Sequence, residues 1–388
     1  MAIVTTSLFG DLYFIPAPGA VTANERLEWL TDLEESFGGD ESPLESRPVA
    51  RQRLGYDLPA LADGVIQRAA NALVGGLASL WAVPVWPEIQ TIGAHAGGFN
   101  NISIDTTVVD LREDSLALLW GNPDNWQIVE ISAVAADSIT FTPVSAAYSN
   151  LKIIPVRVGR MIGSRKRPAK HQHIVVRAQW EVDDVENIAT TVPTQFLGND
   201  FYTDRVVLPS AMPEHTLERD LQVADFNLGP TNFYSAWDHN KKTIPQHRMM
   251  HSLAEVRAFR SWLYRRAGRY RPYWEPSWEH DLRLNDSGSL TTTITVYPDD
   301  YEDQAEIRTH IAIEAGGVWY PRTITTVTPV DADHLDLTLD TSLGGIDAST
   351  VTRISYLGLK RLDSDAIELD WLGAGNCQCD LKIKEIQP

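Results

Sequence analysis

The chain has 388 residues, of which 43% are hydrophobic and 22% charged, with a formal charge of −19. That length exceeds one small core and points to two or three domains of ordinary globular composition, which excludes a disordered chain. The acidic excess disfavours non-specific nucleic-acid binding over the whole surface. Cys377 and Cys379 are the only cysteines; two thiols exclude a disulfide framework and fall short of a four-ligand zinc site. The reading favoured for them is a pair of thiols in a chain made in a reducing cytosol, with a metal site shared between subunits as the alternative.

The N-terminus lacks the basic and apolar regions of a signal peptide, and no run reaches the ~18 apolar residues of a membrane span. The expectation is a soluble protein made in the cytoplasm.

In chain order, the second half repeats the first. Residues 11–16, from Asp11 to the proline at 16, return at 204–209 with a shift of 193. Pro84 and Trp86 return as Pro276 and Trp278 (192), and Trp126 as Trp319 (193). Residues 136–142 return at 332–338 (196), and Arg160 as Arg361 (201). Each match is weak alone, but their common order and narrow range of shifts point to a tandem duplication. The fold expected is mainly β with one helix per unit (α+β), a duplicated β-sandwich or barrel. The first unit covers residues 8–187, a Pro/Gly/Asn-containing linker covers 188–199, and the second unit covers 200–388.

Each unit reads as strand, long loop, strand, helix, then four to six strands. In the second unit Leu253, Val256, Phe259, Trp262 and Leu263 lie at helical spacing, and Gly268 is placed to end the helix. The stripe Leu61, Val65, Ala69, Leu73, Leu77 and Leu80 predicts the matching helix of the first. Strands are expected at 101–105, 126–131, 289–296 and 319–325, those at 126 and 319 each followed by a hairpin partner.

Candidate chemistry is sparse. No nucleophile elbow, phosphate loop or zincin motif occurs. His247 and His251 have zincin-like spacing without the activating glutamate, and read as ordinary polar residues. Asp299, Asp300, Glu302, Asp303 and Glu306 lack the ligand order of a calcium loop and read as a solvated segment. Arginines between 257 and 271 alternate with Trp262, Tyr264, Tyr270, Tyr273 and Trp274, which fits packing and protein contact better than nucleic acid. No cofactor, metal or catalytic residue is expected, so the chain is read as a non-enzyme.

The sharpest local feature is a basic arm at residues 163–171. Arg160 and Trp180 are 20 apart, whereas Arg361 and Trp371 are 10 apart, so the first copy is read as carrying an insertion that holds Arg165, Lys166, Arg167 and Lys170. These four are the expected partner-binding residues, for an acidic face of a neighbouring subunit. A solvated loop and DNA contact are the alternatives.

The helix followed by Tyr270, Pro272, Trp274, Pro276 and Trp278 resembles tail proteins of long-tailed (siphovirus-type) bacteriophages and gene-transfer agents. In these a helix, a Gly/Arg segment and an aromatic-x-Pro-x-Trp motif precede a β-rich domain. Residues 27–32, around Trp29, and 47–52 also look like the opening of such units. The resemblance implies a distal tail, tail-hub or baseplate role in the virion: a homo-oligomeric ring, trimer or hexamer, joining the tail tube to the tip or fibre-bearing hub. Its partners would be tube, hub or tape-measure proteins, with no membrane anchor and no sequence-specific nucleic acid. Some hub relatives carry two tube-like domains per chain, so three chains make six similar units; some carry a four-cysteine cluster, which this chain lacks. A receptor- or carbohydrate-binding tail protein is the alternative, and a cell-envelope hydrolase a further one.

Overall fold

The structure, a computed structural model, describes residues 2–15, 22–60, 79–162, 169–170, 173–183, 188, 190–204, 216–219, 221–225, 227, 229–235, 241–298, 301 and 308–387. It is mainly β, with one α-helix among the described residues.

The first half contains β1 Ala2–Thr6, β2 Gly10–Phe14, β3 Thr22–Glu35, β4 Glu41–Ala60, β5 Leu80–Pro84, β6 Gln90–His95 and β7 Phe99–Ser103. These are followed by β8 Leu116–Asn122, β9 Asn125–Ala135, β10 Ser138–Val144, β11 Tyr148–Met161, β12 Ala169–Lys170 and β13 His173–Val182. β1 and β2 form a hairpin, β2 runs parallel to β5, and β5 pairs antiparallel with β11. From β11 the ladder continues through β8, β9 and β10 to β7, while β6 pairs with the start of β11. β11 is buried on both faces, as its run Ile153, Ile154, Val156 and Val158 requires.

The second half contains β14 Gln195–Phe196, β15 Asn199–Phe201, β16 Thr216–Glu218, β17 Gln222–Ala224, β18 Asn232–Tyr234 and β19 Lys241–Met250. After the helix α1, Leu253–Arg266, come β20 Tyr273–Pro276, β21 Ser289–Leu290, β22 Thr293–Val296, β23 His310–Ala315, β24 Val318–Asp331 and β25 His334–Leu339. β26 Ile346–Asp347, β27 Val351–Leu362, β28 Ala366–Gly373 and β29 Asn376–Ile386 complete the chain. β14 and β15 form a hairpin, β15 runs parallel to β20, and β20 pairs antiparallel with β27. The ladder then continues through β23, β24 and β25 to β22. β25 shows why such segments become strands: Leu335, Leu337 and Leu339 are buried, and the residues between them face outward.

α1 begins at a capping box. Ser252 accepts from the Glu255 amide at 3.2 Å, and the Glu255 carboxylate accepts from the His251 amide at 2.8 Å. It ends where Ala267 and Gly268 adopt φ of 52° and 68°. A side chain at Gly268 would meet the Asp365 carboxylate at 2.3 Å and Trp29 at 3.1 Å, so glycine is required for both backbone and space.

Several sequence expectations change. The "long loop" is the β3–β4 hairpin, the longest pairing among the described residues. Leu80 begins β5, so the first helical stripe cannot reach it; the rest of that stripe, 61–78, lies outside the described residues, as does the acidic cluster Asp299, Asp300, Glu302, Asp303 and Glu306. The segment 188–199, expected as a linker, holds β14, the start of β15 and the buried Ile188. Residues 2–6, ahead of the expected unit, form β1. The run 289–296 is two strands, β21 and β22, that pair with different partners.

The aromatic-x-Pro-x-Trp motif is built into the interior. Trp274 on β20 is 1% exposed and packs on Phe196 and His310, whereas Trp278 is half-buried, edge-on to Trp319 at 5.5 Å. Trp274→Ala is therefore expected to lower unfolding free energy by about 3–5 kcal/mol, and Trp278→Ala by less. Denaturant titration of both variants checks the order.

Candidate functional site

Eight strands form one continuous antiparallel sheet in the order β12–β13–β4–β3–β28–β29–β19–β16. Four come from each half, and the join is β3 against β28, from Ala23↔Trp371 to Glu28↔Ala366. Alternation divides its faces. Leu27, Trp29, Leu54, Trp180, Ile367, Leu369, Trp371 and Leu381 are buried on one face. α1 covers its centre with Val256, Phe259 and Leu263.

The other face is polar. Arg53 bridges Glu28 at 3.5 Å and Glu181 at 3.2 Å, and Arg26 bridges Glu28 at 3.5 Å and Glu368 at 3.3 Å. Asn24 donates to Asp370 at 3.0 Å, and His247 pairs with Asp380 at 2.6 Å. Such part-exposed pairs add about 0.2–1 kcal/mol each, so their effect is to keep this face wet and in register rather than to hold the fold.

Beneath the join the charges are buried. Arg260 of α1 reaches Glu88 at 2.5 Å and Glu25 of β3, and all three side chains are at most 3% exposed. Gln52 donates to Glu25 at 2.8 Å, and the Asp110 amide donates to Glu88 at 3.0 Å. Asp110 in turn holds Arg112 through two bonds of 2.8 and 2.7 Å and pairs with the buried Arg157. Burial alone would raise the Asp110 pKa, but Arg157, Arg112 and Arg257 outweigh it and hold the carboxyl well below its usual range. At the other side of the join, Asp365 accepts from the Thr31 amide at 2.8 Å and hydroxyl at 2.9 Å and from the Arg269 amide at 2.8 Å.

The distal part of the β3–β4 hairpin passes beyond β28 and reaches the second half. Glu41 meets Arg361 at 2.6 Å, Lys384 at 3.2 Å and Lys241 at 3.3 Å, and Glu35 meets Lys241 at 2.6 Å. Burial tends to raise the Glu41 pKa, yet Arg361 and Lys384 prevail and lower it from 4.5 to about 2.

Both ends of the sheet are open among the described residues: β12 pairs only with β13, and β16 only with β19. Leu217 on β16 is 68% exposed. Of the expected basic arm, Lys170 lies in β12, while Arg165, Lys166 and Arg167 precede it in sequence and lie outside the described residues.

Other sequence candidates are structural. His247 sits in β19 and His251 at the start of α1, and nothing brings a third ligand to them among the described residues. Cys377 and Cys379 are buried neighbours on the apolar face of β29; burial pushes the Cys377 thiol up to about 12 and raises Cys379 further. The arginines of α1 are engaged internally. Arg265 makes two bonds to Asp200, 2.9 and 3.0 Å, Arg266 joins the same carboxylate, and Arg269 binds Asp365. A cleft of about 350 Å³ between α1 and residues 191–204 is lined by Tyr202, Arg248, Trp262, Arg265 and Tyr273. In it Asp200 accepts from Arg265 and the Tyr202 hydroxyl accepts from Arg248.

The sequence missed the buried joint. Its signal was present in the alternation Glu25, Leu27, Trp29, Thr31, where an acid occupies a core position, but its partners Glu88 and Arg260 lie far away in the chain.

Comparison of the chain with protein-family models and with curated protein sequences returns no match. No helix among the described residues is long and apolar enough to cross a membrane.

Two outcomes follow from the joint. Arg260→Ala leaves two buried carboxylates uncompensated and is expected to cost about 3–5 kcal/mol in denaturant unfolding, with a smaller loss when Glu25→Gln and Glu88→Gln are added. Glu41, with its lowered pKa, contributes stability above pH 4.5 that disappears as pH falls through about 2. Amide exchange over residues 30–46 should therefore accelerate only within that acid window.

Proposed function

We propose that the chain is a non-enzymatic structural component of the distal tail of a long-tailed bacteriophage. Three copies form a ring between the tail tube and the tip or fibre-bearing hub, and each copy is a tandem duplication of one β-rich unit.

The strand registers support the duplication. Val156 faces Pro84 and Leu357 faces Pro276; Gly159 faces Trp81 and Lys360 faces Tyr273, all at shifts of 192 and 201. Ser138 faces Ala135 and His334 faces Asp331, both shifted by 196. Three of the shifts read from sequence, 192, 196 and 201, therefore recur as paired registers. The match of residues 11–16 to 204–209 does not: β2 beside β5 corresponds to β15 beside β20, with Tyr13 facing Trp81 where Asp200 faces Tyr273, a shift of 187.

The same comparison corrects the account of the basic arm. Met161 faces Trp180, and Leu362 faces Ile383, so Trp371 is not the counterpart of Trp180. On those registers the first half is no longer than the second at this place, so the arm is not an insertion. It leads into β12, which occupies the position that β28 holds in the second half.

The observation that carries the ring is the eight-stranded sheet with a joint in its middle and an open strand at each end. Inside the chain, β28 of one unit pairs with β3 of the other. Between chains, β12 would pair with β16 in the same way, repeating one joint around a closed heterologous ring. The charges agree: Arg165, Lys166, Arg167 and Lys170 accompany β12, while Glu214, Glu218 and Asp220 accompany β16. With Leu27 buried under α1 and its counterpart Leu217 exposed, the second unit lacks the cover that a neighbour would supply. Of the tryptophans in the aromatic-x-Pro-x-Trp motif that could stack on a sugar, Trp274 is buried and Trp278 packs on Trp319.

The test is the native mass of the full chain together with averaged electron-microscope images. A three-copy ring with six similar lobes is expected, and it should dissociate when salt is raised or when residues 163–170 are replaced by a neutral segment. A chain that remains monomeric at every concentration would refute the proposal.

A further inference from the structure

The hairpin β17–β18 stands apart from the sheet and carries an exposed apolar surface. Its strands pair only with each other, Gln222↔Tyr234 to Ala224↔Asn232. Val223 and Phe233, directly opposed, are 58% and 65% exposed, and Leu221, two residues before Val223, is 57% exposed; Tyr234 lies on the opposite face with Gln222. A two-stranded hairpin is marginal alone in water, and a concentrated apolar patch on one marks a contact surface.

The occupant is indicated by the first half of the chain. β17–β18 lies between β16 and β19, the place that the distal β3–β4 hairpin holds between its own paired segments. That first hairpin crosses to the other half, where Glu35 and Glu41 meet Lys241, Arg361 and Lys384. The registers that relate the halves place Arg51 opposite Lys241 and Arg160 opposite Arg361: Leu54 aligns with Ile244 through Trp180 and Ile383, and Arg160 with Arg361 at the shift of 201. Arg51 is exposed, and Arg160 is 57% exposed with Asp183 at 3.0 Å. No hairpin of the same chain covers this pair of arginines among the described residues.

We infer that β17–β18 is a latch for a second copy of this chain: its apolar face docks on the first half of the neighbour beside Arg51 and Arg160, and Asp225, at the end of β17, meets those guanidinium groups. The inference rests on the duplicated-ring reading and adds a second contact to it. Edge pairing of β12 with β16 sets the register between chains, while the latch spans the joint, as Glu41 spans it within a chain. Burial of Val223 and Phe233 supplies the apolar part of the contact.

The test mixes two single-cysteine variants of the full-length chain, Phe233→Cys and Arg51→Cys, with a short bismaleimide. The native Cys377 and Cys379 are buried with raised pKa and stay unlabelled, so any product must join two introduced cysteines. A covalent dimer is expected from the mixture and from neither variant alone. In parallel, the doubly substituted Val223→Asp, Phe233→Asp chain should unfold at the wild-type temperature, because both side chains are exposed, yet need about tenfold more protein to assemble. Rings that form from wild-type chains without the cross-link, or from the Asp variant at wild-type concentration, would overturn the latch and leave the ring reading intact. Wild-type chains that never associate would overturn both.

Discussion

The buried contact of Arg260 with Glu25 and Glu88 is the constraint around which the two halves are organised. A guanidinium on the only described helix is desolvated between a strand acid and a turn acid from the other half, and its Cζ lies 5.5 Å from the Trp371 ring. Replacing such a group by an apolar one is often tolerated, but losing a single member strands charge in a low-dielectric interior. The arrangement therefore specifies one docking geometry. α1 can lie on the sheet only where Glu25 and Glu88 converge, and that position forces β28 alongside β3.

The sheet follows from that placement. Its apolar face needs α1, and its polar face is laced by Arg26 and Arg53 across β13, β4, β3 and β28. Polar lacing fixes lateral register cheaply, since a slip of one residue would turn Leu27 and Trp29 to water and Arg26 and Glu28 to the core. Gly268 and Asp365 close the remaining corner, tying the end of α1 to Trp29 and Thr31 within a space too small for a Cβ.

Much of this was legible from local pattern. The helix Leu253–Arg266, its stop at Gly268, the hairpins beginning at Trp126 and Trp319 and the mainly β character all follow from periodicity and turn residues. The β3–β4 hairpin was missed because its wet face interleaves charges with a core face that itself contains Glu25, Thr31 and Gln52, which blurs the alternation. The candidate surface was visible only as charge, in Lys170 and the arginines before it. That Lys170 lies in a strand paired on one side only, among the described residues, is a property of long-range pairing, which spacing cannot reveal.

Covalent linkage gives the β3–β28 joint a different thermodynamic character from any joint made by β12 and β16. The first is intramolecular, so its formation is governed by the effective concentration within one chain and is independent of how much protein is present. The second would be bimolecular and would weaken on dilution. A closed assembly of such chains would have alternating permanent and reversible seams, and it would come apart only into whole chains, never into single units. Construction would then require half as many diffusional encounters as a ring of separate units, with the register of every second seam already set before the first collision.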